Sequence, residues 1–407
     1  MSGKKQFRNS IADAISRASA AALAIAVVLS ASIVLTEQAQ GQTYRVIYNF
    51  TGGIDGAVPY AGLTIDASGN LYGTTNTGTV YRLMPKSSGW IFSLLYRFSA
   101  HQIFAGVVFG PDGSLYGTTW QTNFGEPGIA FALSPLATVC PATTCLWTQT
   151  VLYDITDGDT VPSFGNLVFD ASGNIYGTTL PYSAPGVAYQ LARSSTGWTE
   201  NVLHTFSGQG DGYNPYGGMI LDSGGNLYGT TCDYDGVVFK LTYSPGSGWI
   251  ETILHTFQGD CPYSGLIFDA SGNLYGATTA GGEENAGTVF RLTPSGNGWN
   301  YSLIYSFTGS PNQCGPWGPL YIDRAGSLYG TTYCDGENGM GNIFKLTPSV
   351  GGWTYTSLKD FALDGHDGAH PIGGVAADAR GNLYGTTSSG GTGCRYNACG
   401  VVWEITP

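Results

Sequence analysis

The chain has 407 residues, of which 42% are hydrophobic, 13% aromatic and only 11% charged, and its formal net charge is −12. That much apolar material excludes a disordered chain. A negative body repels phosphate backbones and anionic lipid surfaces, which excludes nucleic acid as a partner. Scarce helix formers beside 62 Gly and 26 Tyr point to strands and turns.

In chain order, Lys4, Lys5, Arg8 and Arg17 precede an apolar run from Ala18 to Leu35 and the small-residue stretch Ala39-Gln40-Gly41. Residues 1–42 read as a secretory signal peptide cleaved near Gly41, with an uncleaved N-terminal anchor as the alternative. No Cys lies near that cleavage point, so a lipid anchor there has no support. The remainder, residues 43–407, reads as one domain without a further membrane span. Removing the leader leaves 12 Lys+Arg and 26 Asp+Glu, a net charge of −14. The expected location is outside the cytoplasm: secreted, periplasmic or at the cell surface. All eight cysteines fall in this part, and an even count in an exported chain suggests disulfides. Cys140 with Cys145 and Cys394 with Cys399 are close enough in sequence to pair. Cys232 with Cys261 and Cys314 with Cys334 would staple loops on one face. No CxxC pair supports a zinc ribbon.

Next comes an isolated strand-like stretch, Tyr44 to Phe50. After it the phrase Leu-Tyr-Gly-Thr-Thr or a close variant begins at Leu71, Leu115, Ile175, Leu227, Leu274, Leu328 and Leu383, at spacings from 44 to 60 residues. Around each copy lie four strand-like stretches. The first is Gly-Leu-x-x-Asp, as in Gly62 to Asp66, followed by a turn such as Ala67-Ser68-Gly69-Asn70. The second is the Leu-Tyr-Gly-Thr-Thr phrase. The third is Gly-x-Val-Phe-x-Leu, as in Gly287 to Leu292. The fourth opens on Trp and reaches an aromatic or aliphatic residue eight positions on, as in Trp299 and Phe307. Simple alternation in that stretch puts Trp299, Tyr301, Leu303, Tyr305 and Phe307 on one face. Four short antiparallel strands recurring about every 50 residues predict an all-β fold, a seven-bladed β-propeller of four-stranded antiparallel blades. The seventh unit stops after its third strand at Pro407, and Tyr44 to Phe50 matches the fourth-strand pattern. The N-terminal strand is therefore expected to complete the last blade and close the ring.

These units resemble the GloVer tandem-repeat, or choice-of-anchor, family of bacterial exported proteins. The likeness is carried by Gly265 to Asp269, Gly272 to Gly276, Gly281-Gly282 and Gly287 to Pro294, and it covers nearly all of residues 44–407. The resemblance implies export with varied C-terminal anchors and no established catalytic activity. This chain departs from it by ending inside the repeat without a hydrophobic tail. The blade pattern is also loosely similar to that of NHL-type propellers, whose Gly-Leu-x-x-Asp strand lies innermost.

Residues shared by every unit read as scaffold. The Asp before the turn (Asp66, Asp170, Asp222, Asp269, Asp323, Asp378) caps it, and Asp112 replaces it where the second unit has Gly110. The Gly of each repeated phrase marks a bulge or a close backbone approach. Chemistry should lie where the repeat is broken. His204 and His255 stand where other units have Tyr and read as packing residues. His101, His366 and His370 lie in loops on one predicted face, a three-His metal site if they converge. Acidic loops (Asp154, Asp157 and Asp159; Asp233 and Asp235; Asp364 and Asp367) suit a structural calcium ion, although Asp-Gly is also an ordinary turn signal. No other cofactor is expected. An aromatic residue precedes most inner strands: Tyr60, Phe104, Tyr216, Tyr263 and Trp317, with Phe164 one residue off register and Ile372 breaking the series. These either plug the gaps between blades or ring one channel mouth as a ligand-binding surface. The predicted inner strands carry almost no acid–base residues, and there is neither a GxSxG elbow nor an HExxH helix. The sequence thus leans away from an enzyme, towards a monomeric binding propeller for a glycan or protein. The alternatives are a carbohydrate- or lactone-acting hydrolase or lyase at the channel mouth, and a purely structural envelope protein.

Overall fold

The computed structural model describes residues 42–99, 101–121, 127–135, 146–155, 160–181, 184–195, 197–232, 236–296, 298–309, 314–394 and 399–407. Residues 1–41 of the proposed leader, Cys140, Cys145, Asp157, Asp159, Asp233 and Asp235 lie outside them. Seven small antiparallel sheets form a ring, one per repeat. Blade 5 is representative: a two-residue inner strand, Ile267–Phe268, then Leu274–Thr278, Thr288–Ser295 and the outer strand Gly298–Ser306. In blade 7 the order is Ala376–Ala377, Leu383–Thr387, Val401–Thr406 and then Thr43–Asn49. The N-terminal strand is thus the outer strand of the last blade, as the sequence predicts. No helix among the described residues is long and apolar enough to cross a membrane.

Each repeated residue has a physical task. Asp66 Oδ1 accepts hydrogen bonds from the backbone N–H of Ser68 (2.8 Å) and Asn70 (2.9 Å), while Oδ2 accepts from Asn70 Nδ2 (2.7 Å) and the Tyr72 hydroxyl (3.0 Å). The turn carboxylate therefore also fixes the Tyr of the repeated phrase. In blade 2 Asp112 takes over this role and accepts from Tyr116 OH at 3.1 Å. The Gly of the phrase answers a close approach: a Cβ on Gly276 would lie 2.5 Å from Phe290 Cζ, its cross-strand partner. The equivalent rings Tyr81, Phe131, Tyr189, Phe239, Phe344 and Trp403 are all fully buried.

Other repeat residues join blade to blade. Thr74, Thr230, Thr331 and Thr386 donate their hydroxyls to carbonyls of the next blade's loop, and Thr386 reaches Ala61 (2.8 Å) across the closure. The outer-strand Trp packs edge-on against the repeated Tyr of the preceding blade, as in Trp299 with Tyr228 (6.2 Å) and Trp90 with Tyr384 (5.8 Å). At the closure Phe50 is fully buried and its N–H donates to Gly400 O at 3.2 Å.

The simple alternation expected of the outer strand does not hold. Pairing shifts register between Val289 and Phe290, whose partners are Tyr305 and Leu303. This bulge turns Leu303 out to 52% exposure, while Ile304 and Tyr305 pack on one core cluster and Trp299 on another. Both loop disulfides are formed, Cys232–Cys261 and Cys314–Cys334, as is Cys394–Cys399.

Candidate functional site

The loops leading into the inner strands converge at one mouth of the channel. Tyr60, Phe104, Phe164, Tyr216, Tyr263 and Trp317 follow one another there as a continuous arc. Their successive ring centroids are 5.2, 5.2, 5.6, 4.3 and 4.8 Å apart. Ile372 closes the circle from blade 7. All seven side chains are half-buried. They pack on one another and also line a cavity of about 560 Å³ to which every blade contributes. A second layer backs the arc: Trp120 stacks on Phe164 (5.5 Å), and Tyr333 meets Trp317 (5.4 Å).

Phe164 therefore belongs to the ring. It stands three residues before Leu167, as Tyr60 stands before Leu63. The apparent slip comes from Ser163, which separates Phe164 from Pro162. Counting back from the inner strand, rather than forward from the proline, finds it. The proline itself is scaffold, because it seats against the glycine that opens the preceding blade's third strand. A Cβ on Gly236 would lie 2.6 Å from Pro262 Cδ, and one on Gly400 2.7 Å from Pro59 Cδ.

The lining is uncharged. Among the described residues no Asp, Glu, Lys, Arg or His faces the cavity. Its polar side-chain groups are the tyrosine hydroxyls, the Trp317 indole N–H and Asn166, whose Oδ1 accepts from Gly106 N at 2.8 Å. Burial, with Tyr333 adding to it, raises the Tyr60 pKa, so that hydroxyl stays a neutral donor. A second cavity of about 650 Å³ lies between blades 7 and 1, but its carboxylates are committed. Asp66 and Asp378 hold their turns, and Glu404 pairs with Arg45.

The other expected sites do not assemble. His101 lies edge-on to Phe98, His366 is exposed in a turn, and His370 Nδ1 is 2.9 Å from Ser389 Oγ, so no three-His centre forms. Asp364 caps the N–H groups of His366 and Asp367. Asp367 accepts from Tyr44 OH and pairs with Lys359, both at 2.7 Å. That pair is therefore a turn cap and an ion pair. His255 does pack, stacking on Tyr301 at 4.1 Å. His204 does more than pack. Its Nε2 lies 3.6 Å from Asp211 Oδ2 and 3.4 Å from Glu251 Oε2. Burial lowers the His204 pKa against the opposing pull of Asp211. Burial, with Asp211 adding to it, pushes Glu251 up to about 8.

Comparison with known proteins adds the following. The profile of the Gloeobacter/Verrucomicrobia repeat matches residues 102–313 and 232–407. No curated protein matches the sequence. Among solved structures, an oxidoreductase (glucose dehydrogenase) of Thermus thermophilus is 17% identical with a TM-score of 0.46, covering 90% of this chain and 100% of that one. A Trichoderma reesei carbohydrate-active enzyme of family AA12, in a calcium structure, is 15% identical (TM-score 0.43; 90% and 96%). The pyranose dehydrogenase PQQ domain of Coprinopsis cinerea is 13% identical (TM-score 0.46; 91% and 96%). The expectation of a non-enzymatic propeller for a glycan or protein is corrected accordingly, since these neighbours are enzymes or enzyme domains. A bound cofactor can carry the chemistry, so inner strands poor in acid–base groups do not argue against catalysis. Nor do the neighbours support the hydrolase or lyase alternative. At such identities and TM-scores no activity passes to this chain. The quinone PQQ carries three carboxylates, and a mouth without a single cationic side chain does not fit it. What the repeat itself establishes is ancestry: matched over most of its length, the chain belongs to the Gloeobacter/Verrucomicrobia repeat family.

Proposed function

We propose that the channel mouth binds an uncharged, flat, mostly apolar small molecule. The observation that carries this is the unbroken arc of six aromatic rings around a cavity with no charged side chain. The volume lies within the ~300–1,000 Å³ range of small-molecule sites. Ring faces supply stacking area, while a charged ligand would lose its hydration without finding a counter-charge. The tyrosine hydroxyls and Asn166 provide a few directed polar contacts, too few for a ligand with hydroxyls on every side.

The test is fluorescence titration with the neutral dye phenylnaphthylamine, against anionic anilinonaphthalene sulfonate as comparator. The neutral dye should bind saturably at one site per chain. The double variant Tyr216→Ala/Trp317→Ala should weaken it about tenfold or more, as expected for the loss of two stacking faces. Binding that is absent, unchanged in the variant, or equally strong for the anion overturns the reading.

We further read residues 1–42 as an export signal. The three disulfides among the described residues are consistent with an oxidising compartment. N-terminal sequencing of the protein recovered outside the cytoplasm checks this. A first residue near Gln42 is expected, and an intact Met1 refutes cleavage.

A further inference from the structure

We propose that His204, Asp211 and Glu251 form a binding site for one divalent transition-metal ion of zinc-like preference, at the outer seam between blades 3 and 4. His204 stands near the end of blade 3's outer strand, Gly197–Thr205. Glu251 lies on blade 4's outer strand, Gly248–Thr256, and Asp211 in the loop that follows blade 3. Each offers one ligand atom, and the three atoms lie within 4.8 Å of one another.

The distances favour a metal over a hydrogen bond. His204 Nε2 is 3.4 and 3.6 Å from the two carboxylate oxygens, at the long edge of hydrogen-bond range, and is shielded from solvent. Ligands about 2.1 Å from a tetrahedral zinc are separated by roughly 3.4 Å, the edge of the tetrahedron. Glu251 Oε1 is likewise shielded from solvent without a hydrogen-bond partner. The side chains are 21%, 18% and 12% exposed, so two carboxylates sit close together, largely removed from water, with a single imidazole between them. A dication neutralises that charge. Imidazole with two carboxylates suits zinc and its transition-metal neighbours, whereas calcium asks for six to eight oxygens.

The ring supplies its own controls, because the same contact recurs at other seams. The position six residues after the outer-strand Trp meets the position two after the Trp of the next blade. Tyr48 stacks on Phe92 (4.8 Å), Tyr96 OH donates to Gln149 (2.6 Å), Tyr153 OH donates to Glu200 (3.0 Å), His255 stacks on Tyr301, and Tyr305 stacks on Tyr355 (4.7 Å). Among the described residues a loop aspartate meets a donor of the pair itself at two further places. Asp55 accepts from Tyr48 OH at 3.0 Å, and Asp367 is held by Lys359 and Tyr44. Among the described residues the third such triplet, His204–Glu251–Asp211, is the one built wholly of metal ligands. Asp211 is aimed by its own turn: Oδ2 accepts from Ser207 N–H (2.8 Å) and Oδ1 from Gln209 N–H (3.0 Å), while the Ser207 hydroxyl lies within 3.0 Å of both oxygens, so a metal would share Oδ2 with that turn. The seam does not need this set to hold, since its neighbours pack with rings and hydroxyls. Three protein ligands also leave a coordination position for water or another small ligand.

The test uses the full, tag-free, unreduced chain stripped with EDTA and titrated with zinc chloride by calorimetry. Metal content after desalting is measured by mass spectrometry. One zinc per chain is expected. Glu251→Gln and His204→Tyr should each weaken binding about 100-fold or more, since even outer-sphere losses cost about 10–100-fold. His204→Tyr recreates the Tyr153–Glu200 pairing of the previous seam, so it keeps the fold, which an unchanged melting temperature in EDTA checks. No saturable zinc, zinc binding unaltered in both variants, or calcium bound as tightly as zinc each overturns the assignment. The result is independent of whether the channel mouth binds the neutral dye.

Discussion

Gly276→Ala puts a number on the close approach that the repeated phrase encodes. The new Cβ would lie 2.5 Å from Phe290 Cζ and 2.9 Å from Leu266 Cδ2, against an ordinary contact of at least 3.4 Å. Phe290 is fully buried, 5.1 Å from the ring of Phe257, so it has no solvent to move into. Overpacking of this kind costs about 1–3 kcal/mol, and the stiffer unfolded chain of the Ala variant returns about 0.4–1 kcal/mol. The net expected loss is about 1–2 kcal/mol. Phe290→Leu alone leaves a void and should cost part of the ~3–5 kcal/mol of a full Phe truncation. In the double variant the Cβ occupies that void, so the two losses should fall short of their sum by about 1 kcal/mol. Urea unfolding of the four proteins, followed by fluorescence and circular dichroism together, measures the cycle. Losses that add within about 0.5 kcal/mol would show that the glycine is not there to admit the ring.

Two further outcomes follow from the same scaffold. Deleting residues 43–51 removes the outer strand of blade 7 and the fully buried Phe50, whose burial alone is worth about 1.5–3 kcal/mol, and bares the edge of Val401–Thr406. Calorimetry should show a clear fall in melting temperature, and an unchanged value refutes closure. The turn carboxylates also predict acid lability. Burial pushes Asp170 upward, but hydrogen bonds from the side chain and N–H of Asn174 outweigh it and hold the pKa below its ordinary value, as happens at Asp222 and Asp269. A depressed folded-state pKa gives stability that is present above about pH 4 and lost as pH falls towards the folded value. Melting temperature should therefore drop below about pH 4, and a flat profile from pH 5 to 3 contradicts these bonds.

The fold was legible because a period of about 50 residues survives any change in loop length, and the unpaired strand at Tyr44 supplied the closure. The aromatic mouth was legible in five of its six rings. Phe164 was hidden by one inserted residue, Ser163, on the loop side of a register that the inner strand keeps. The outer strands misled because a bulge is invisible to period-two counting: Leu303 and Ile304 are both apolar, and only backbone pairing decides which turns inward. The rim cluster was out of reach for another reason. His204 and Glu251 are 47 positions apart on neighbouring strands, and Tyr at the equivalents of His204 suggested packing. That inference holds for His255, which stacks on Tyr301, and for His204 as far as its edge-on contact with Phe206, but it is silent on the carboxylate that faces His204 across the seam.

The mouth and the rim use the repeat in opposite ways. At the mouth, near-equivalent positions are filled with similar rings, so the wall presents almost the same face from every blade. Such a wall offers affinity through stacking but little that fixes how a ligand lies. Orientation must come from the departures, Asn166 and Pro319 where the other five blades have Gly, and Ile372 where the other six have an aromatic ring. Those three positions, rather than the larger rings, are where ligand selectivity at the mouth should concentrate. At the rim the logic reverses. A contact filled elsewhere by rings and hydroxyls becomes, at one seam, a set of three ligand atoms, and there the break in symmetry is itself the site. In a repeat ring the scaffold is what the blades share. Binding strength can be shared as well, but selectivity and metal chemistry require residues that a single blade does not owe to its neighbours.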